Sequence, residues 1–139
     1  MKKIFIMLFL GAGASAAAQT PFADCFFDKT MRFDYYHAGD SRSEEYFFDA
    51  LKEEPYWAGS KVSLVDTTGY GNQFFRIVDR ASGREIYSRG FCTLFNEWQS
   101  TPEADSVRRS YPESVVFPYP KRPCRIEIFT RNGKGRFEK

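Results

Sequence analysis

Bulky apolar side chains fall at every second position in several short stretches of this chain. In residues 30–36, Met31, Phe33 and Tyr35 alternate with Arg32, Asp34 and Tyr36. Successive side chains of a strand point to opposite faces, so this pattern describes a strand with one buried face. Cys124, Ile126 and Ile128 alternate with Arg125, Glu127 and Phe129 in the same way. Residues 74–78 are apolar and β-branched, residues 79–83 (Asp-Arg-Ala-Ser-Gly) form a turn signal, and residues 85–91 run back, which predicts a hairpin. Asn132-Gly133 predicts a second hairpin, with left-handed angles at both positions. Its return strand is expected to be cut short at Lys139. Residues 61–65 form a weaker strand candidate.

Helix signals are few. Thr101-Pro102-Glu103-Ala104 reads as an N-cap, a proline at the first helical position and an acid in the first turn, predicting a helix to about Ser110, before Pro112. Residues 94–99 suggest another short helix. Residues 44–54 stay open, because Tyr46, Phe47, Ala50 and Leu51 fit a helical stripe whereas Tyr46 and Phe48 fit a strand. The run Pro118-Tyr119-Pro120-Lys121-Arg122-Pro123 should be extended and cross between sheets. Together these elements predict an all-β fold: an immunoglobulin-like two-sheet β-sandwich with one or two short helices and a truncated last strand.

The N-terminus carries a different signal. Lys2 and Lys3 precede an unbroken apolar run from residue 4 to residue 10, too short to span a bilayer. Small residues follow, and Ala16-Ala17-Ala18 offers the pattern a signal peptidase accepts. Residues 1–18 are therefore expected to be a signal peptide, and residues 19–139 a single exported domain, periplasmic or extracellular and free of the membrane once processed. Those two lysines account for the whole formal charge of +2. The remainder is neutral, with no electrostatic reason to bind nucleic acid. Roughly 120 residues remain, enough for one core.

Catalytic chemistry finds little purchase. The chain has one histidine, His37. An H-E-x-x-H zinc helix needs two histidines a turn apart, so that site is ruled out. A Ser-His-Asp triad would need His37 as its base, and no G-x-S-x-G elbow supports one. His37 reads as a strand-end residue before an Ala38-Gly39-Asp40 turn. Cys25, Cys92 and Cys124 match no metal spacing. A Cys25–Cys124 disulfide is conceivable in an exported chain, but three small buried apolar residues are favoured. Gly69-Tyr70-Gly71 lacks the strand–helix context of a phosphate loop. Tyr56, Trp57 and Trp98 could stack on a sugar ring, although core positions suit them better. No catalytic, cofactor-binding or metal residue is assigned.

Several segments resemble the N-terminal domain of the bacterial IgA-peptidase family, the sixty-fourth family of metallopeptidases. They are residues 33–40 (Phe-Asp-Tyr-Tyr-His-Ala-Gly-Asp), Trp57-Ala58-Gly59, residues 90–99 continuing into Thr101-Pro102-Glu103-Ala104, and Pro118-Tyr119-Pro120-Lys121 before a strand. The likeness covers roughly Phe22 to Lys139, and the Leu94-Phe95…Glu97-Trp98 to Pro102-Glu103-Ala104 stretch is its most specific part. It implies a β-sandwich without chemistry of its own, preceding a zinc peptidase domain that this chain lacks. The expected role is an accessory domain that packs on that peptidase or presents substrate to it, with the peptidase domain encoded downstream or supplied in trans. The other reading is a free-standing exported module that binds glycan or protein.

The mature N-terminus should be Gln19. The intact mass of protein recovered from the periplasm or medium checks this, and full-length chain still starting at Met1 in the membrane fraction would contradict it.

Overall fold

The computed structural model describes residues 21–139. The proposed signal peptide and its cleavage point lie outside the described residues. After one helical turn, α1 (Phe22–Cys25), the chain forms β1 (Phe26–Asp40) and β2 (Ser43–Glu54), then β3 (Gln73–Asp79) and β4 (Glu85–Phe91). Helix α2 (Leu94–Gln99) and a 3-10 turn (Pro102–Asp105) lead into β5 (Arg109–Pro120), β6 (Cys124–Arg131) and β7 (Phe137–Glu138). Two antiparallel sheets result, one ordered β2-β1-β5 and the other β4-β3-β6-β7. Residues 121–123 are the crossover between them, as the proline-rich run implied.

Inward-facing rings fill the space between the sheets. Phe26 and Tyr35 of β1, Val115 and Phe117 of β5, Phe75 and Ile77 of β3, and Ile86 and Tyr87 of β4 form one buried cluster with Trp57 and Leu64. Phe75 meets Phe117 across the gap at 6.3 Å between centroids, and Phe26 meets Tyr87 edge-on at 6.5 Å. Such pairs add to the gain from area burial alone. Phe95, Trp98 and Ala104 form a second, smaller core at one end, closed by Tyr111.

Residues 44–54 are strand throughout, paired to the edge of β1 from Asp40↔Ser43 to Thr30↔Glu54. A bulge at Asp49 opposes Phe48 to Tyr35 and Ala50 to Asp34. That extra residue explains why neither a period of two nor one of 3.6 runs cleanly through the segment. Strand β5 tolerates three prolines because it is an edge strand. The Lys121 amide donates inward to the Cys25 carbonyl at 2.8 Å. Odd positions therefore face β1, and Pro112, Pro118 and Pro120 turn their missing N–H groups outward.

Four expectations need correction. Residues 61–65 are a loop: the Ser60 hydroxyl accepts from the Val62 and Ser63 amides, and the Asp66 carboxylate from Thr68 and Gly69, so local side-chain bonds curl the segment. The helix expected to reach Ser110 stops at Asp105, because β1 recruits Arg109 onwards as a ladder partner. Strand β1 does not turn at residues 38–40; it runs to Asp40, whose carboxylate accepts from the Arg42 and Ser43 amides and makes the turn there. At the last hairpin the left-handed residue is Gly135 (φ +75°), not Asn132 or Gly133. Asn132 instead accepts from the Lys134 and Arg136 amides through its side chain, giving a longer turn.

The three cysteines are free thiols. Cys25 and Cys124 pack half-buried against the core, as small apolar residues do. Cys92 is exposed, contrary to expectation, because it follows the end of β4. Gly71 lies where the 69–71 loop crosses β4: its φ is +95°, and a Cβ there would sit 2.3 Å from the Phe91 carbonyl oxygen. Gly71 of that G-x-G serves a close backbone crossing, whereas Gly69 serves a left-handed angle (φ +62°) in open space.

Candidate functional site

His37 shares the parity of Met31, Phe33 and Tyr35, so β1 turns it inward, and it is 0% exposed. Its ring lies between Phe95 of α2, at 3.9 Å between centroids, and Tyr46 of β2, at 4.4 Å. The two ring nitrogens meet two carboxylates: Nδ1 lies 3.1 Å from Glu113 of β5, and Nε2 lies 3.0 Å from Glu44 of β2. One histidine thus connects all three strands of its sheet.

Burial by itself lowers the pKa of His37, but the hydrogen bonds and charges of Glu113 and Glu44 outweigh it, and the net shift is upward from 6.5. Burial likewise pushes Glu44 up, while His37 and the Thr130 hydroxyl more than reverse this and hold its carboxyl below 4.5. When the ring is protonated, both of its nitrogens donate, one to each carboxylate. Burial raises the hydroxyls of Tyr35 and Tyr46, which stay neutral.

The network continues into the second sheet. The Thr130 hydroxyl of β6 donates to Glu44, and the Tyr46 hydroxyl donates to Gln73 of β3 at 2.9 Å. The buried Gln73 amide donates in turn to Asn96 of α2 at 3.0 Å. Helix α2 begins with Thr93, whose hydroxyl accepts from the Asn96 amide, and the Phe95 amide donates to Glu113 at 3.3 Å. Gln99 at the far end donates to the Asp40 carbonyl. Glu44, Thr130 and Asn96 then line an open hollow of about 520 Å³ on the surface, rimmed by Arg42, Gln99 and Arg131.

This arrangement suits holding better than reacting. The carboxylates sit on opposite ring nitrogens, so the three groups do not converge on a point where an ion could sit. Among the described residues no group of three or more His, Cys, Asp or Glu side chains could hold a metal. Both nitrogens are engaged and the ring is closed off from solvent, which leaves no free base for a substrate. The aromatic platform is not assembled: Trp57 and Trp98 are buried, donating to the Ser60 carbonyl and to Glu103 respectively, and only Tyr56 is exposed.

The sequence model of the family described as Peptidase M64 N-terminus matches residues 21–139. The chain belongs to that family. The match spans every described residue, and with them both sheets and the His37 network of this M64 N-terminal domain. A comparison with curated proteins finds no match.

Sequence reasoning set His37 aside and left Glu113 unnamed. The available signal was parity, since a histidine in register with Phe33 and Tyr35 on an inward face must find partners. The stability the pair contributes has a pH window. His37, raised in the fold, contributes fully below 6.5 and loses its contribution as pH rises through its folded value; Glu44, lowered, contributes above 4.5 and loses it as pH falls. The chain should therefore melt lower at about pH 9 than at about pH 6, and His37→Gln should remove most of that difference. That variant should also cost about 3 kcal/mol near pH 6, because it leaves two carboxylates without their cation. Thermal melts of both proteins at the two pH values check this, and an unchanged difference in His37→Gln would contradict it.

Proposed function

We propose that this chain is the non-catalytic N-terminal accessory domain of an exported IgA-peptidase-type zinc metallopeptidase, and that it packs on the catalytic domain. The family match over residues 21–139 is the observation that carries this reading. The closed coordination of the lone histidine supports it, since the domain offers no solvent-facing imidazole for hydrolysis. Among the described residues no helix is long and apolar enough to cross a membrane.

The outer face of the β2-β1-β5 sheet supports packing in particular. Phe47, Tyr36 and Pro112 are register partners and make one apolar row across all three strands. Phe47 is 52% exposed and Tyr36 43%. Ion pairs frame this row on both sides. Arg32 bridges Asp34 and Glu54, and Lys52 reaches Asp34, at one end. Arg108 bridges Asp40 and Glu45 at the other. An apolar centre with a charged rim is the usual anatomy of an interface.

The proposal predicts that the isolated chain binds a separately produced zinc peptidase domain of this family. Tyr36→Asp with Phe47→Asp should weaken that binding at least about tenfold while leaving the melting temperature nearly unchanged. Titration calorimetry and melting of the variant check this. Failure of the unaltered chain to bind the peptidase domain, with tight binding to glycan arrays instead, would favour the free-standing binding module.

A further inference from the structure

A polar hollow opens where α2 meets the ends of both sheets. The turn between β1 and β2 supplies Ser41 and Arg42, β2 supplies Glu44, α2 supplies Asn96 and Gln99, and the end of β6 supplies Arg131. Its volume of about 520 Å³ falls within the range of small-molecule pockets. Every side chain that lines it is polar, so it presents no aromatic ring and no aliphatic side chain. An apolar ligand or a stacked base would find nothing to pack on there.

The polar groups around this hollow are only partly spent on the fold. All three guanidinium nitrogens of Arg131 donate to backbone carbonyls, those of Gly71 at 2.9 Å, Gly135 at 2.7 Å, and Gly69. A guanidinium carries five N–H donors, so two remain, on a group that is fixed in place and meets no carboxylate among the described residues. Arg42 is exposed, and its guanidinium has no ion-pair partner among the described residues. The Asn96 side-chain oxygen accepts from Gln73 at 3.0 Å and from the Thr93 hydroxyl at 2.9 Å, which leaves its amide N–H groups for a ligand. Gln99 is committed the other way: its amide donates to the Asp40 carbonyl at 2.9 Å, which leaves its oxygen as an acceptor. Glu44 accepts from His37 on one oxygen and from Thr130 on the other, and a carboxylate has about four acceptor sites, so it keeps lone pairs to spare.

We propose that this hollow binds an acidic sugar, a ring that carries one carboxylate and several hydroxyls. Two guanidinium groups without a carboxylate of their own attract the carboxylate, and their planar N–H forks match its geometry. The hydroxyls, each a donor and an acceptor, match the mixed set that remains: Asn96 donates to them, and Gln99 and Glu44 accept from them. Glu44 distinguishes this ligand from a bare anion, because its charge repels a free phosphate or sulfate yet accepts from a sugar hydroxyl. A peptide with an acidic side chain brings the carboxylate without the row of hydroxyls. The proposal goes beyond the accessory-domain reading and does not depend on it, since a domain packed on a peptidase through its outer face keeps this hollow as a separate site.

The test titrates the whole chain, labelled with nitrogen-15, and follows the side-chain amide of Asn96 and the backbone amides of Ser41 and Arg42 by NMR. The probes are methyl glucuronoside, N-acetylneuraminic acid, neutral methyl glucoside, acetate and a short glutamate-rich peptide. At least one of the two acidic sugars should give saturable shifts at millimolar concentration, and the neutral glucoside should bind at least about tenfold more weakly, for want of one charge-assisted pair. Arg42→Ala and Ser41→Asp should each weaken the acidic sugar at least about tenfold. Both variants should melt as the unaltered chain does, because neither side chain is bonded to the rest of the domain among the described residues. No saturable shift with either acidic sugar overturns the proposal. Equally tight binding of acetate overturns it by reducing the hollow to a bare anion site, and tighter binding of the glutamate-rich peptide overturns it in favour of a protein ligand. Unchanged sugar binding in both variants also overturns it, by placing the ligand elsewhere.

Discussion

A single buried histidine held between two carboxylates organises one end of this domain. Removing a cation from water in a core of aromatic rings is costly unless its partners are close and well aligned. His37 meets that condition with one carboxylate on each ring nitrogen and an aromatic ring on each face. Because Glu44, Glu113 and His37 come from three different strands, the same interaction aligns the sheet. Because Glu113 also accepts from Phe95, and Glu44 from Thr130, it ties down α2 and the facing sheet as well. Burial of aromatic rings holds the main core between the sheets, and at this end directional bonds on one ring add to it.

What is left over after those internal demands bears on function. The domain spends its histidine and its tryptophans on its own interior and leaves two apolar features uncovered. One is the Phe47–Tyr36–Pro112 row on the outer face of the three-stranded sheet. The other is the exposed pair Phe48 and Leu51 on the inner face of β2. They lie on opposite faces of the same sheet and meet at β2, where the alternation of successive side chains sends Phe47 outward and Phe48 inward.

How much of this was legible in the sequence depended on how local the cause was. The alternation in residues 30–36 and 124–129 and the Asp79–Gly83 turn are written within a few residues, and the strands stand where that pattern put them. Residues 44–54 were ambiguous because a bulge breaks their period, and only the edge of β1 decides the matter. The helix expected to reach Ser110 failed for the same reason: a strand about seventy residues away in sequence, pairing Gly39 with Arg109, outcompeted a sound local capping signal. Residues 61–65 show the reverse case, where Ser60 and Asp66 made local bonds that outweighed strand propensity. The His37 network was the least legible feature. Glu44 is seven residues from His37 but Glu113 is 76 away, and nothing short of the register places the two carboxylates on the two sides of one ring.

The protonation of His37 decides how strongly this end of the domain is tied together. Nitrogen-15 NMR of the chain labelled at histidine, followed across a pH titration, measures it directly. The expected midpoint lies above the ordinary 6.5, with both ring nitrogens protonated below it. A midpoint below that value, with one nitrogen bare at about pH 6, would contradict this.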